Sequence, residues 1–255
     1  MAIEIDNVTV RFGGITAVSG VSLSIKHGEI IAVVGPNGSG KSTLFNCVSG
    51  LVSLATGAVR IDDVETKMIG PSARVRMGLA RTFQTPRFDP SETVARAVSC
   101  GFYPHTKAGI ISSMLRWKSS SREEREVHES CAAILDDLGL LSLRNIPLAE
   151  LSMGQLRLVE VARAMANKPR YLLLDEPAAG LTLDEQQALA AQVRLLSQNG
   201  VGVLLVEHNF NLIRQLAENV LVLDRGKPIL SGKPADIEKN TDFVDLYLGS
   251  TGRKH

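Results

Sequence analysis

Residues 30–43, Ile-Ile-Ala-Val-Val-Gly-Pro-Asn-Gly-Ser-Gly-Lys-Ser-Thr, constrain this chain more than any other stretch. The first five are apolar and mostly β-branched, as in a strand buried on both faces of a parallel sheet. Gly35-Pro36-Asn37-Gly38-Ser39-Gly40-Lys41-Ser42 then fits the phosphate-binding pattern G-x-x-x-x-G-K-[ST]. Glycines let such a loop curl so that successive backbone N–H groups point at an anion. A helix is expected from about Ser42, through Thr43-Leu44-Phe45-Asn46, and its unpaired N–H groups and positive dipole end would face the same anion. Lys41 can bridge the β- and γ-phosphates of a bound nucleotide, and the Ser42 hydroxyl can ligate Mg²⁺. The alternative is a glycine-rich turn that binds nothing; the buried strand before it and the helix after it favour the phosphate cradle.

Two further apolar strands end in polar groups. Tyr171-Leu172-Leu173-Leu174-Asp175 delivers Asp175 and Glu176, and Val203-Leu204-Leu205-Val206 leads into Glu207-His208. In an open parallel sheet, ligands collect beyond the carboxyl ends of the strands, so these tips should converge on Lys41 and Ser42. Asp175 is a hard-oxygen ligand suited to Mg²⁺, directly or through water. Glu176 can orient or deprotonate an attacking water, and His208 can hold the γ-phosphate or the base. Gln84 ends a short strand, Gly78 to Gln84, and is either a ligand of Mg²⁺ or of the water, or a surface residue. Phe12 ends an early strand and is either a platform for adenine or a plug between sheets.

The flanking segments fill in an α/β fold. Ile3, Ile5, Val8, Val10 and the alternating Val21-Ser22-Leu23-Ser24-Ile25 read as an antiparallel β layer with one wet face. Residues 85–150 have a different texture. Pro86, Pro90 and Pro104 break the first half; Val127, Cys131, Ile134, Leu135 and Leu138 then mark an amphipathic helix that Gly139 stops. Tyr103 to Lys118 is either a mobile extension that touches a partner or a surface loop with a packed anchor. Ser152 is positioned to cap a helix that runs to about Ala166, and Thr182-Leu183-Asp184-Glu185 forms a capping box for another. Val220 to Leu230 reads as a hairpin, and Pro234 to about Leu248 as helical.

With 28 basic and 27 acidic residues, the chain has no global field that would recruit nucleic acid. Three scattered cysteines, with no C-x-x-C spacing, argue for a reducing cytoplasm. No signal peptide and no apolar stretch of about 18 residues is visible, so a soluble protein is expected, with any membrane link made through a partner.

Gly35 to Thr43, Gln84, Leu151-Ser152-Met153-Gly154-Gln155, Leu174 to Pro177 and His208 occur in the order and approximate spacing of ABC-type ATPases, and the chain resembles that family over nearly its whole length. The resemblance implies a P-loop NTPase core, mainly a parallel sheet, with an antiparallel β subdomain and an inserted α-helical subdomain. It divides residues 1–250 into a core (1–84 and 170–250) and a helical subdomain with the signature motif (85–169), leaving 251–255 as a disordered tail. It implies ATP and Mg²⁺ as ligands. Phe12, Gly35 to Thr43, Ser152, Gly154 and Gln155 would contact the nucleotide; Ser42, Gln84 and Asp175 the metal; and Glu176, His208, Lys41 and Gln84 would serve hydrolysis. Two such domains would pack head to tail, the Ser152–Gln155 segment of one covering the ATP of the other.

Three departures stand out: Met153 for the usual glycine, Thr182 for an aspartate common after the leucine, and Phe12 for tyrosine. A narrower likeness, carried by Arg81-Thr82-Phe83-Gln84, the insertion from Phe102 to about Arg125, Ala179-Gly180-Leu181 and Val206-Glu207-His208, is to the ATPase subunits of branched-chain amino acid importers with the longer insertion. It implies a second ATPase subunit, transmembrane permease subunits and, indirectly, a periplasmic solute-binding protein, with the chain on the inner face of the plasma membrane. Similar ATPases serve urea uptake and lipopolysaccharide export. ATPases that act on nucleic acid or ribosomes tend to carry a long coiled coil between the phosphate loop and the signature, or tandem ATPase domains. The stretch from Lys41 to Ser152 shows no heptads and the chain reads as one domain, which disfavours that alternative.

Overall fold

The computed structural model describes residues 1–83, 88–105, 117–241 and 243–244. Gln84, most of the insertion between Tyr103 and Lys118, the expected helical continuation past Val244 and the tail 251–255 lie outside the described residues. In chain order the elements are β1 (Ala2–Phe12), β2 (Ile15–Lys26), β3 (Ile30–Val34), α1 (Lys41–Val48), β4 (Thr56–Ile61), β5 (Val64–Glu65), α2 (Pro71–Arg76) and β6 (Leu79–Arg81). Then follow α3 (Val94–Ser99), α4 (Trp117–Asp137) and α5 (Met153–Ala166), with short 3₁₀ turns between them. The chain finishes with β7 (Tyr171–Asp175), α6 (Leu183–Gln198), β8 (Gly202–Val206), α7 (Phe210–Leu216), β9 (Asn219–Asp224), β10 (Lys227–Gly232) and α8 (Pro234–Ile237).

The chain forms two compact units. The first comprises residues 1–81, 170–176 and 193–255. Its larger sheet has the order β10-β9-β3-β8-β7-β6. β3 lies parallel to β8 and β9, β7 lies parallel to β8 and β6, and β10 pairs antiparallel with β9. β3, β7 and β8 are buried at every residue, as continuous apolar runs covered on both faces require. The smaller sheet, β2-β1-β4-β5, is antiparallel throughout, and β1 alternates buried and exposed positions along much of its length. Leu44, Phe45, Cys47 and Val48 of α1 join Ile3, Ile5, Val59 and Ile61 of one sheet and Val33, Leu173, Leu204 and Leu221 of the other in one buried cluster. Each large aliphatic side chain fully buried there contributes about 1.5–3 kcal/mol.

Arg74 ends the phosphate-loop helix from outside. Its guanidinium donates to the carbonyls of Cys47 (2.9 Å), Val48 (2.7 Å), Thr66 (2.8 Å) and Ile69 (2.9 Å). A cation at the last carbonyls of α1 satisfies acceptors the helix cannot satisfy itself and complements its dipole.

The second unit comprises residues 82–169 and 177–192. Val94, Ala97, Val98, Cys131, Leu135, Leu138, Leu148, Leu158 and Ala162 are buried there on α3, α4, α5 and their connections. Thr93 caps α3 and forms an isolated antiparallel bridge with Pro147. Gln192, at the end of this unit's share of α6, donates to the carbonyl of Asp137. Among the described residues no helix is long and apolar enough to cross a membrane.

Candidate functional site

The first unit gathers the phosphate loop and the tips of β7 and β8. Lys41 opens α1 with its ammonium turned back into the loop, donating to the carbonyls of Gly35 (2.7 Å) and Pro36 (3.0 Å). Only 6% of Lys41 is exposed. Burial lowers the pKa of its ammonium, and the carboxylates of Glu176 and Asp175 act in the opposite direction. The loop shape depends on glycine at two points. Gly40 has φ +101°, and a Cβ there would sit 2.6 Å from the carbonyl oxygen of Ala17; a Cβ on Gly35 would overlap the carbonyl of Leu223. Gly40 also leaves α1 without a side-chain cap.

The loop suits an anion on its own evidence. Ser39 is buried and, among the described residues, its hydroxyl has no hydrogen-bond partner, so a phosphate oxygen is a fitting acceptor for it. The uncapped N–H groups of α1 add their dipole end. Asn37, Gly38 and Ser42 are exposed at the crest, and Pro36 and Thr43 are half-buried. A hydroxyl at Ser42 and a carboxylate at Asp175 are hard oxygen donors of the kind Mg²⁺ takes together with substrate phosphates. The residues therefore fit both groups.

Asp175 ends β7 with 3% exposure. Burial raises the pKa of its carboxyl; the Arg81 guanidinium, with an N–O separation of 3.4 Å, opposes that shift. Glu176 follows with φ +49°, in the left-handed region, and its N–H donates to the carbonyl of Val206 at 2.9 Å. That backbone turn aims its side chain away from the line of β7, and Oε1 lies 3.0 Å from His208 Nε2. His208 is seated by its neighbours: Glu207, 4% exposed, accepts the N–H groups of His208 (3.0 Å) and Asn209 (3.4 Å), and Asn209 caps α7. Lys41, Ser42, Asp175, Glu176 and His208 thus lie in one unit, with Glu176 and His208 in direct contact. Phe12 ends β1 opposite Ile15 and is 50% exposed, so its ring is not a plug between the sheets.

Ser152, Gly154 and Gln155 belong to the second unit. Ser152 Oγ accepts the Gln155 N–H (3.1 Å) while Gln155 Oε1 accepts the Ser152 N–H (3.0 Å), a complete capping box at the start of α5. Gly154 is packed against the loop before α6: a Cβ there would lie 2.9 Å from the Gly180 carbonyl oxygen and 3.1 Å from Leu181. Met153 is 55% exposed, so this position accepts a long side chain where position 154 does not. A second box opens α6, where Glu185 accepts both the N–H (2.8 Å) and the hydroxyl (3.0 Å) of Thr182.

Sequence reasoning passed over Arg81, Asn46 and Glu207 as contributors to this region. The available signal was weak: Arg81 and Glu207 are charged residues at the ends of otherwise apolar strands. A long-range partner decides whether such a residue is a solvated end or a buried anchor.

The ABC transporter family model matches residues 18–179. The chain is 35% identical over 248 residues to the high-affinity branched-chain amino acid transport ATP-binding protein BraF of Pseudomonas aeruginosa, covering 97% of each. It is 33% identical over 248 residues to LivG of Escherichia coli, which carries the same description, again covering 97% of each. Among solved structures it resembles a nucleotide-free ATP-binding cassette from an ABC transporter, with a TM-score of 0.83 and 29% identity over 97% of this chain and 99% of the other. It also resembles a dimeric post-hydrolysis cassette bound to ADP and Pi, with a TM-score of 0.79 and 26% identity over 91% and 98% of the two chains. The shared sequence, the shared fold and the phosphate-loop geometry make this chain an ATP-binding cassette of the ABC transporter family.

Proposed function

We propose that this chain is the ATP-hydrolysing subunit of a bacterial importer for branched-chain or related amino acids, working as a dimer on the inner face of the plasma membrane. The observation that carries the reading is the Glu176–His208 pair at the tips of β7 and β8, in the same unit as the Lys41 loop. The likeness to BraF and LivG along nearly the whole chain supports the solute class.

In this reading the N–H groups at the start of α1, with Ser39 and Lys41, hold the phosphates. Lys41 exchanges its bonds to the Gly35 and Pro36 carbonyls for bonds to phosphate oxygens. Phe12 stacks on the base. Ser42, Asp175 and Gln84 hold the metal, which when bound supplies charge neutralisation at the phosphates. Glu176 orients the attacking water and takes its proton, and His208 fixes the Glu176 carboxylate. Ser152, Gly154 and Gln155 of a second copy or a related subunit close over the γ-phosphate, because the first-turn N–H groups that the capping box leaves unpaired, with the positive end of the helix dipole, favour an anion. Permease subunits would transmit closure to the membrane, and a periplasmic solute-binding protein would deliver the solute.

The test is uptake of labelled leucine by cells lacking the gene. Uptake should be lost, return with the wild-type chain and stay absent with Lys41→Ala. Unimpaired uptake in the deletion strain would reject the solute class.

A further inference from the structure

Arg81 closes β6, the strand beside β7, and only 9% of its side chain is exposed. One arm of its guanidinium donates to Asn46 Oδ1 (2.7 Å) and to the Ser49 hydroxyl (2.9 Å). Asn46 lies on α1 and Ser49 is its C-cap residue. The other arm lies 3.4 Å from Oδ2 of Asp175, whose side chain is 4% exposed. The Phe45 ring lies 5.6 Å from the guanidinium carbon and supplies a further apolar wall. One buried fork therefore joins the tip of β7 to the helix that starts at Lys41.

A buried arginine is costly unless its donors are used, and here the donors face two different elements. Only a planar fork can serve both directions at once; a lysine ammonium is a single point charge on a flexible stem. Partners that hold a metal-binding carboxylate from behind commonly change metal affinity when removed.

We propose that Arg81 is a positioning residue for the metal-dependent part of nucleotide binding: it fixes the Asp175 carboxylate relative to the phosphate-loop helix and so sets how tightly Mg²⁺ joins bound ATP. This rests on the nucleotide site described under Proposed function. It concerns neither the phosphate contacts of Lys41 nor the Glu176–His208 pair.

The experiment titrates the full chain with a fluorescent, non-hydrolysable ATP analogue, once in Mg²⁺ and once in EDTA. Arg81→Met should weaken binding in Mg²⁺ by about tenfold or more, within the range seen for residues behind metal ligands, and leave binding in EDTA unchanged. Arg81→Lys should fall between wild type and Arg81→Met. Asn46→Ala, which removes one anchor of the fork, should shift the Mg²⁺ arm in the same direction by less. Equal losses in both buffers would mark Arg81 as a strut of the fold and overturn the proposal. An unchanged Mg²⁺-to-EDTA ratio in Arg81→Met would overturn it too. If Arg81→Met does not fold, an unchanged ratio in both Arg81→Lys and Asn46→Ala would do the same. Failure of the wild-type chain to bind the analogue in either buffer would instead overturn the nucleotide site itself.

Discussion

His208 Nε2 lies 3.0 Å from Oε1 of Glu176, joining the first residue beyond β7 to the second residue beyond the neighbouring strand β8. Glu176 reaches that position only because its backbone adopts φ +49°, a region that side-chain-bearing residues avoid at a cost of roughly 1–3 kcal/mol. The bond from its N–H to the Val206 carbonyl and the imidazole at its carboxylate hold it there. The adjacent Asp175 keeps the strand direction and faces Arg81. Two consecutive carboxylates thereby face two different partners.

Glu176→Gln should leave ATP affinity intact and lower turnover by about 10²–10⁴, the usual worth of a positioned general base. His208→Ala should lower turnover with ATP affinity near wild type, because it removes the imidazole from Glu176 Oε1 without touching the Lys41 loop. Nucleotide titration beside steady-state hydrolysis checks both. Wild-type turnover in Glu176→Gln would reject its role as the base.

Ser152 caps α5 and, in the proposed function, meets a phosphate; different substitutions separate the two. Ser152→Ala removes the cap of α5 and should cost about 1 kcal/mol of stability, read as a lower melting temperature. Ser152→Asp restores a capping oxygen and should melt near wild type. Both should lose turnover, and Ser152→Asp the more, because it places a negative charge where the N–H groups of α5 await an anion. Hydrolysis at the wild-type rate by Ser152→Asp would show that this helix start meets no phosphate.

Cys47 is buried at 1% exposure on the inner side of α1, and burial pushes its thiol pKa up to about 12 from 9.0, against a smaller opposing pull from Arg74. The sign follows from proton counting. Between those two values the unfolded chain has lost the proton and the folded chain has kept it, so stability is complete below pH 9.0 and declines as pH rises towards about 12. The slope from this one group is at most about 1.4 kcal/mol per pH unit. Cys47→Ala should flatten that alkaline decline in denaturant titrations, at the cost of a small cavity. The same burial predicts that a thiol reagent near neutral pH labels the exposed Cys100 first, and Cys47 and Cys131 only on unfolding.

Local chemistry alone determined a large part of this protein. The apolar runs at Ile30–Val34, Tyr171–Asp175 and Gly202–Val206 read as covered strands and are buried at every residue, and the glycine spacing before Lys41 favoured a phosphate cradle over a turn that binds nothing. The capping boxes at Ser152 and Thr182 are readable because both partners lie within one helical turn. What the sequence left open depends on residues far apart in the chain. The pairing of β4 with β1, which builds the antiparallel sheet, is set by burial of Val59 and Ile61 against α1 and not by any turn between those strands. Whether Phe12 was a plug or an exposed ring depended on where the β1–β2 hairpin ends relative to the core. Only tertiary structure shows that Arg81 faces Asp175 across 94 positions, that Arg74 closes the end of α1 from 26 and 27 residues away, and that Glu207 seats the backbone of His208. Periodicity and capping are local and leave marks in sequence. A buried charge is stable only beside its partner, and folding alone brings that partner near.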